Sequence, residues 1–185
     1  MFTEKDIEKA FGQPNVISND DLALAFEKMI KKQRVAISFI IANIEQYKLE
    51  ENTKHATVEL LYYIFSLYKN KGFDDELIEE SIASAMKKMD STASDIEKKI
   101  GGLSKTDVEV LNKAIESGKS DKLSGKPKAI LEAILNKKKD VSQPLLLEFI
   151  SINITNDELI IEKDKSYVFS IAETIIEAIE VQIAK

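Results

Sequence analysis

The chain contains no cysteine, which removes disulfides, thiolate metal sites, iron–sulfur clusters and a cysteine nucleophile together. It contains a single arginine, Arg34, and so has almost none of the planar, bidentate donor that grips phosphate, carboxylate or guanine. Its single histidine, His55, stands among glutamates and a lysine, an exposed setting in which no oriented triad can be assembled. No catalytic residue is assigned, and no cofactor fingerprint is present. Long apolar runs are also missing. The two longest begin at Val35 and Val58 and fall well short of the ~20 residues that a membrane span requires. The first six residues carry Glu4, Lys5 and Asp6 and no apolar run follows them, so no secretory signal is expected and the reading is a soluble, cytoplasmic protein.

What the chain does have is enough apolar material to fold. Of 185 residues, 44% are apolar and 31% charged, ordinary proportions for a globular protein and unlike those of a disordered one. The spacing predicts an all-α fold, an irregular bundle of about eight to nine helices. Residues 1–185 read as a single helical domain, with a break near Asp90 and Gly101-Gly102 that admits two subdomains, 1–90 and 103–185. No repeat period relates the helix pairs to one another.

The stretch Val58 to Tyr68, apolar or aromatic except at Glu59 and Ser66, is predicted to be the central helix, with amphipathic segments as its coat. Before it, Thr3 caps a short helix that ends at Gly12. A long helix then runs from Leu22 to about Tyr47, with Phe26, Met29, Ile30, Ile37, Ile40, Ile41 and Ile44 inward and a polar interruption at Lys31 to Arg34. Asn52 or Thr53 caps the central helix, which stops at Gly72 and should pair with the preceding helix as a hairpin. Asp74-Asp75-Glu76 opens the next helix, which breaks at Asp90 to Thr92 ahead of a shorter one ending at Gly101. Thr106 to Glu109 has the form of a capping box.

Toward the C-terminus two patterns compete. Pro144 suits a helix start, yet Ile150-Ser151-Ile152-Asn153-Ile154-Thr155 alternates strictly and admits a small β-hairpin near residues 149–163. The final helix carries Val168, Ile171, Ala172, Ile175, Ile176, Ile179 and Ile183 on one face and Glu173, Glu177 and Glu180 on the other.

Four constellations are candidates for function. Glu51, His55 and Glu59, four residues apart, would share a helical face and are the only candidate metal ligands; a solvated polar face accounts for them as well. Gly118-Lys119-Ser120 imitates a phosphate loop but has Lys113 where the motif needs glycine. Lys119 to Lys139 holds seven lysines against Asp121 and Glu132, a basic segment in a chain of net charge −6. Loop lysines and a helix end explain it, and without interleaved aromatics nucleic acid is the weaker partner. Tyr47, Tyr62, Tyr63 and Tyr68, with Phe65, form the densest aromatic group, and of these Tyr62, Tyr63, Phe65 and Tyr68 are the candidate interaction residues. Tyr62 and Tyr63 point about 100° apart on a helix, so they cannot both face one core direction, and one is expected at an interface.

Together these features predict a protein-interaction module that acts as adaptor, inhibitor or regulatory subunit. Self-association as a homodimer, through the final helix or the Tyr62/Tyr63 edge, is part of that expectation. The alternative is a bundle that holds an apolar small ligand in an aromatic-lined pocket.

Overall fold

The computed structural model describes residues 1–11, 19–117, 124–131 and 142–185, and among them no residue lies in a strand. The elements in order are α1 (Glu4–Phe11), α2 (Asn19–Lys32), α3 (Arg34–Tyr47), α4 (Glu51–Lys69), α5 (Glu79–Gly101), α6 (Lys105–Ser117), α7 (125–131), α8 (Pro144–Asn156), a 3₁₀ turn (Glu162–Asp164) and α9 (Lys165–Ile183). The all-helical, irregular bundle predicted from the spacing is the observed architecture. The chain divides into two units, Met1–Ala85 with Ser142–Lys185, and Met86–Val141.

In the first unit the helix at the centre is α9. Helices α3, α4, α8 and the 3₁₀ turn all pack against it. From Thr174 to Ile179 every side chain is buried, which on a helix means burial on all sides. The predicted polar face is therefore wrong at Glu177, which is only 3% exposed, its carboxylate accepting from the Ser142 N–H at 2.9 Å and the Ser142 hydroxyl at 3.0 Å. A charge is tolerated in that position because it is hydrogen-bonded. Helix α4, with Leu60, Leu61, Ile64, Phe65, Leu67 and Tyr68 buried, packs on both α1 and α9, and α3 packs chiefly on α9.

The long second helix is interrupted at Gln33, inside the predicted polar break, where φ −104° and ψ 50° separate α2 from α3. Gln33 is buried and works as a clamp: its Nε2 donates to Asp75 O at 2.8 Å and its Oε1 accepts from Leu77 N–H at 3.0 Å. Gln182 repeats the arrangement on the same segment, donating to Glu76 O at 2.9 Å and accepting from Ile78 N–H at 3.0 Å. Two side-chain amides thus satisfy the backbone of residues 75–78, which remain a loop, and α5 starts at Glu79 rather than at Asp74. Beyond that start α5 runs without a break through residues 90–92.

The predicted hairpin at 149–163 is a helix and a turn. Leu146, Leu147, Ile150 and Ile154 are buried, a three-and-four spacing that overrides the short alternation, and the intervening Ile152 is exposed. Asn153 and Thr155 bond back to the carbonyls of Phe149 and Ser151, both at 2.8 Å, which accommodates these two polar, poorly helix-forming residues on the outer face. The cap of α4 is likewise tertiary. Glu50 occupies the cap position without a side-chain bond, and its N–H donates to the buried Asp164 carboxylate at 3.1 Å. At α1 the predicted cap holds: Thr3 N–H donates to Asp6 Oδ2 at 2.9 Å and Asp6 N–H to Thr3 Oγ1 at 3.3 Å, a reciprocal box. That bond, followed by Lys71 at 3.0 Å, holds the Asp6 carboxyl down at about 2.

In the second unit Leu111, Ile130 and Leu131 form a core against which Ile100 and Leu103 pack. Its capping box is built by Ser104 and Asp107, two residues ahead of the predicted one, with the Ser104 hydroxyl 2.8 Å from Asp107 Oδ2. The alternative division into 1–90 and 103–185 is not the one that the two units follow, since α8 and α9 belong with the first four helices.

Ser81, in the first turn of α5, is fully buried and its hydroxyl has no hydrogen-bond partner among the described residues. Replacing it removes an unsatisfied polar group, so Ser81→Ala is expected to raise stability by about 1 kcal/mol. An equilibrium urea titration reads the change directly, and a loss of that size would show that the hydroxyl has a partner after all.

Candidate functional site

The first unit carries a cleft of about 520 Å³ between α2, α4 and the loop after α4. Its floor is apolar: Met29 from α2, Phe65 from α4 and Phe73 from the loop, all three buried. Tyr62 forms part of one wall, and Leu24, 49% exposed, stands at the rim. Lys28, Lys32 and Lys69 supply positive charge, opposed in the lining by Asp74 alone.

Local sequence explains how these groups arrive there. Helix α4 ends in a tight reversal at Gly72, whose φ of +94° lies in the region that favours glycine. The Gly72 N–H donates to Lys69 O at 3.0 Å and the Phe73 N–H to Tyr68 O at 3.1 Å, which turns Phe73 back under the helix. The Gln33 clamp then holds the following residues against the end of α2. Asp74 joins the two helix ends, 2.6 Å from Lys32 and 3.8 Å from Lys69. The hydrogen bond from Lys32 holds the Asp74 carboxyl below its ordinary range.

An aromatic chain joins the two walls and runs outward from Tyr62. Phe26 of α2 stacks on Tyr62 with centroids 4.6 Å apart, Tyr62 meets Tyr63 edge-on at 5.6 Å, Tyr63 meets Phe11 at 5.3 Å, and Phe11 meets Phe149 at 4.9 Å. It ties α2, α4, α1 and α8 together.

The four predicted interaction residues are therefore divided. Tyr62 and Phe65 line the cleft. Tyr63 turns toward α1, its hydroxyl donating to Glu59 at 3.1 Å, and burial with the nearby Glu59 carboxylate pushes that hydroxyl up to about 12. Tyr68 is 2% exposed and is closed to a partner in this conformation. Its hydroxyl donates to Glu180 at 2.7 Å, and burial, then that bond, pushes its pKa far above the usual value. Gln143 shares the same carboxyl oxygen at 2.8 Å and accepts from Phe2 N–H at 3.0 Å, so Tyr68 belongs to a network that anchors the N-terminus and the start of α8 on α9. Tyr68→Phe is expected to cost about 1.5 kcal/mol, the value of one hydrogen bond to a charged acceptor, and to leave the cleft unchanged. Thermal denaturation alongside a binding assay separates the two effects.

Of the candidate metal ligands, Glu51 lies 3.8 Å from His55 but is engaged by Lys54 at 2.9 Å, and Glu59 accepts from Tyr63. Among the described residues no three potential ligands gather around one point. The basic segment at 119–139 lies mostly outside the described residues, as does the Gly118-Lys119-Ser120 motif; Lys126 and Lys128 are described and exposed. The Ile-rich face of α9 considered for self-association is covered within its own chain from Val168 to Ile179, and only Ile183 at its end is exposed.

Sequence reasoning missed Leu24, Lys28, Lys32, Gln33, Phe73 and Asp74 as one site. The only local signal was the polar interruption at residues 31–34, which marks where α2 ends and the clamp begins. Comparison with protein-family models, with curated protein sequences and with solved structures gives no match to this chain. No described helix is long and apolar enough to cross a membrane.

Proposed function

We propose that this protein is a soluble, cytoplasmic interaction module that docks an apolar side chain of a partner protein in the cleft between α2 and α4. The observation that carries the reading is the combination at that cleft of an exposed leucine, a half-buried tyrosine and a buried aromatic floor. An apolar anchor seated there buries surface against groups that already pack tightly below it, the arrangement from which interface hot spots are made. The two helical walls and the clamped loop supply a preformed shape, so little ordering is needed on binding.

Leu24→Asp puts a charge at the rim without touching the core. Protein specifically retained from lysate by the native chain should be lost with Leu24→Asp and kept with Ile152→Asp, a control at an exposed isoleucine on α8. Retention that is indifferent to Leu24 contradicts the proposal. The second reading, a bound apolar small molecule, is favoured by the volume of about 520 Å³, which falls within the ~300–1,000 Å³ of typical ligand pockets. Native mass spectrometry of the purified protein distinguishes it by a retained small mass that Leu24→Asp removes.

A further inference from the structure

We infer that the segment docked in the α2–α4 cleft is an acidic amphipathic helix. The inference rests on the docking reading above and specifies the partner's chemistry.

Shape is the first argument. The lining residues on α2 are Leu24, Ala25, Lys28, Met29 and Lys32, spaced as one face of a helix over about 12 Å. Those on α4 are Tyr62, Phe65, Ser66 and Lys69, again one face, over about 10 Å. A groove walled by two helical faces for roughly two turns on each side matches a third helix, which inserts anchors at i, i+3 or i+4, and i+7.

Charge is the second argument. The chain as a whole carries net charge −6, yet this groove presents three lysines against one carboxylate. Lys32 and Lys69 have a local explanation, since they sit at the C-terminal ends of α2 and α4 and share Asp74. Lys28 does not. It lies one turn inside α2, is exposed, and forms no ion pair with a described residue. The positive groups are spread along the groove, with Lys28 and Lys32 one turn apart on the same wall. A ligand with a single anionic head would use one end of such a row. Carboxylates repeating every three or four residues along a helix meet the whole of it, and the apolar face of the same helix meets Met29, Phe65 and Phe73.

The test uses the full chain as bait and a displayed library of short helical peptides as probe. Apolar residues are fixed at i, i+4 and i+7, and the remaining positions are drawn equally from Glu, Gln and Lys. Peptides whose capture is lost on Leu24→Asp are expected to be enriched in Glu. Their affinity should fall about tenfold or more for the Lys28→Glu/Lys69→Glu double variant, should fall with rising salt, and should be unchanged for Lys5→Glu, an exposed position on α1 outside the cleft. Lys28→Glu alone leaves the Lys69–Asp74 contact in place, and a lesser loss with this single variant guards against a folding defect in the double one. Leu24-dependent peptides enriched in Gln or Lys, or indifferent to the lysine reversals, overturn the acidic-helix inference while the docking reading stands. Recovery of no Leu24-dependent peptide overturns the inference and removes the support for docking as well.

Discussion

Ile175→Ala is expected to lower the unfolding free energy by about 3–4 kcal/mol. Ile175 is fully buried near the middle of α9, in the stretch where consecutive residues are covered on every side. Deleting three carbons there removes the transfer energy of the side chain and also leaves a cavity, because α3, α4 and α8 are each held by other contacts and cannot all collapse into the gap. Ile183, on the same helix but 54% exposed, supplies the comparison: Ile183→Ala is expected to change stability by less than about 0.5 kcal/mol. Equilibrium urea denaturation of both variants reads the difference. Similar losses at the two positions would mean that α9 is a surface helix, with one face out along its whole length.

The second large effect is at Gln33. Gln33→Leu keeps the volume but deletes both bonds of the clamp, leaving the buried Leu77 N–H without its acceptor and Asp75 O without its donor. A buried donor stripped of its partner costs its full desolvation penalty, so a loss of about 2–3 kcal/mol is expected. The consequence reaches the cleft, because the loop that the clamp holds carries Phe73 and Asp74. Amide hydrogen exchange is the informative measurement. Leu77 should exchange much faster in Gln33→Leu, while Ile78, held by Gln182, should be affected less. An unchanged Leu77 rate would show that the loop is fixed by something other than the amide.

Much of the architecture was legible because apolar spacing over ten or more residues is a strong signal. The α4 helix, its end at Gly72 and the Thr3 cap of α1 all follow from local chemistry. The hairpin reading at 149–163 failed for a related reason: over six residues an alternating pattern and a helical one share positions, and Ile150 and Ile154 satisfy both. Only Leu146 and Leu147, one turn earlier, decide the matter. The placement of Glu177 on a polar face failed because side-chain periodicity describes one helix against water, whereas α9 is enclosed. What encloses it, and the Ser142 groups that hydrogen-bond the buried carboxylate, come from segments distant in the sequence.

The cleft was half legible. Tyr62 and Phe65 belong to a dense aromatic group that any reading would single out. Met29 lies more than thirty residues before them and Phe73 just past the end of their helix, and their convergence depends on the break at Gln33 and the reversal at Gly72. Glutamine at a helix break carries no local mark of a clamp, because both of its partners lie beyond α4.

The most direct test of the account is a hydrogen-exchange footprint of the full chain with the tightest Leu24-dependent peptide bound. The account predicts protection gained along residues 24–33 and 62–74, the two walls and the loop of the cleft. Protection confined to the exposed apolar groups from α8 to the start of α9, around Ile152, Leu159 and Tyr167, would contradict it and move the binding surface elsewhere.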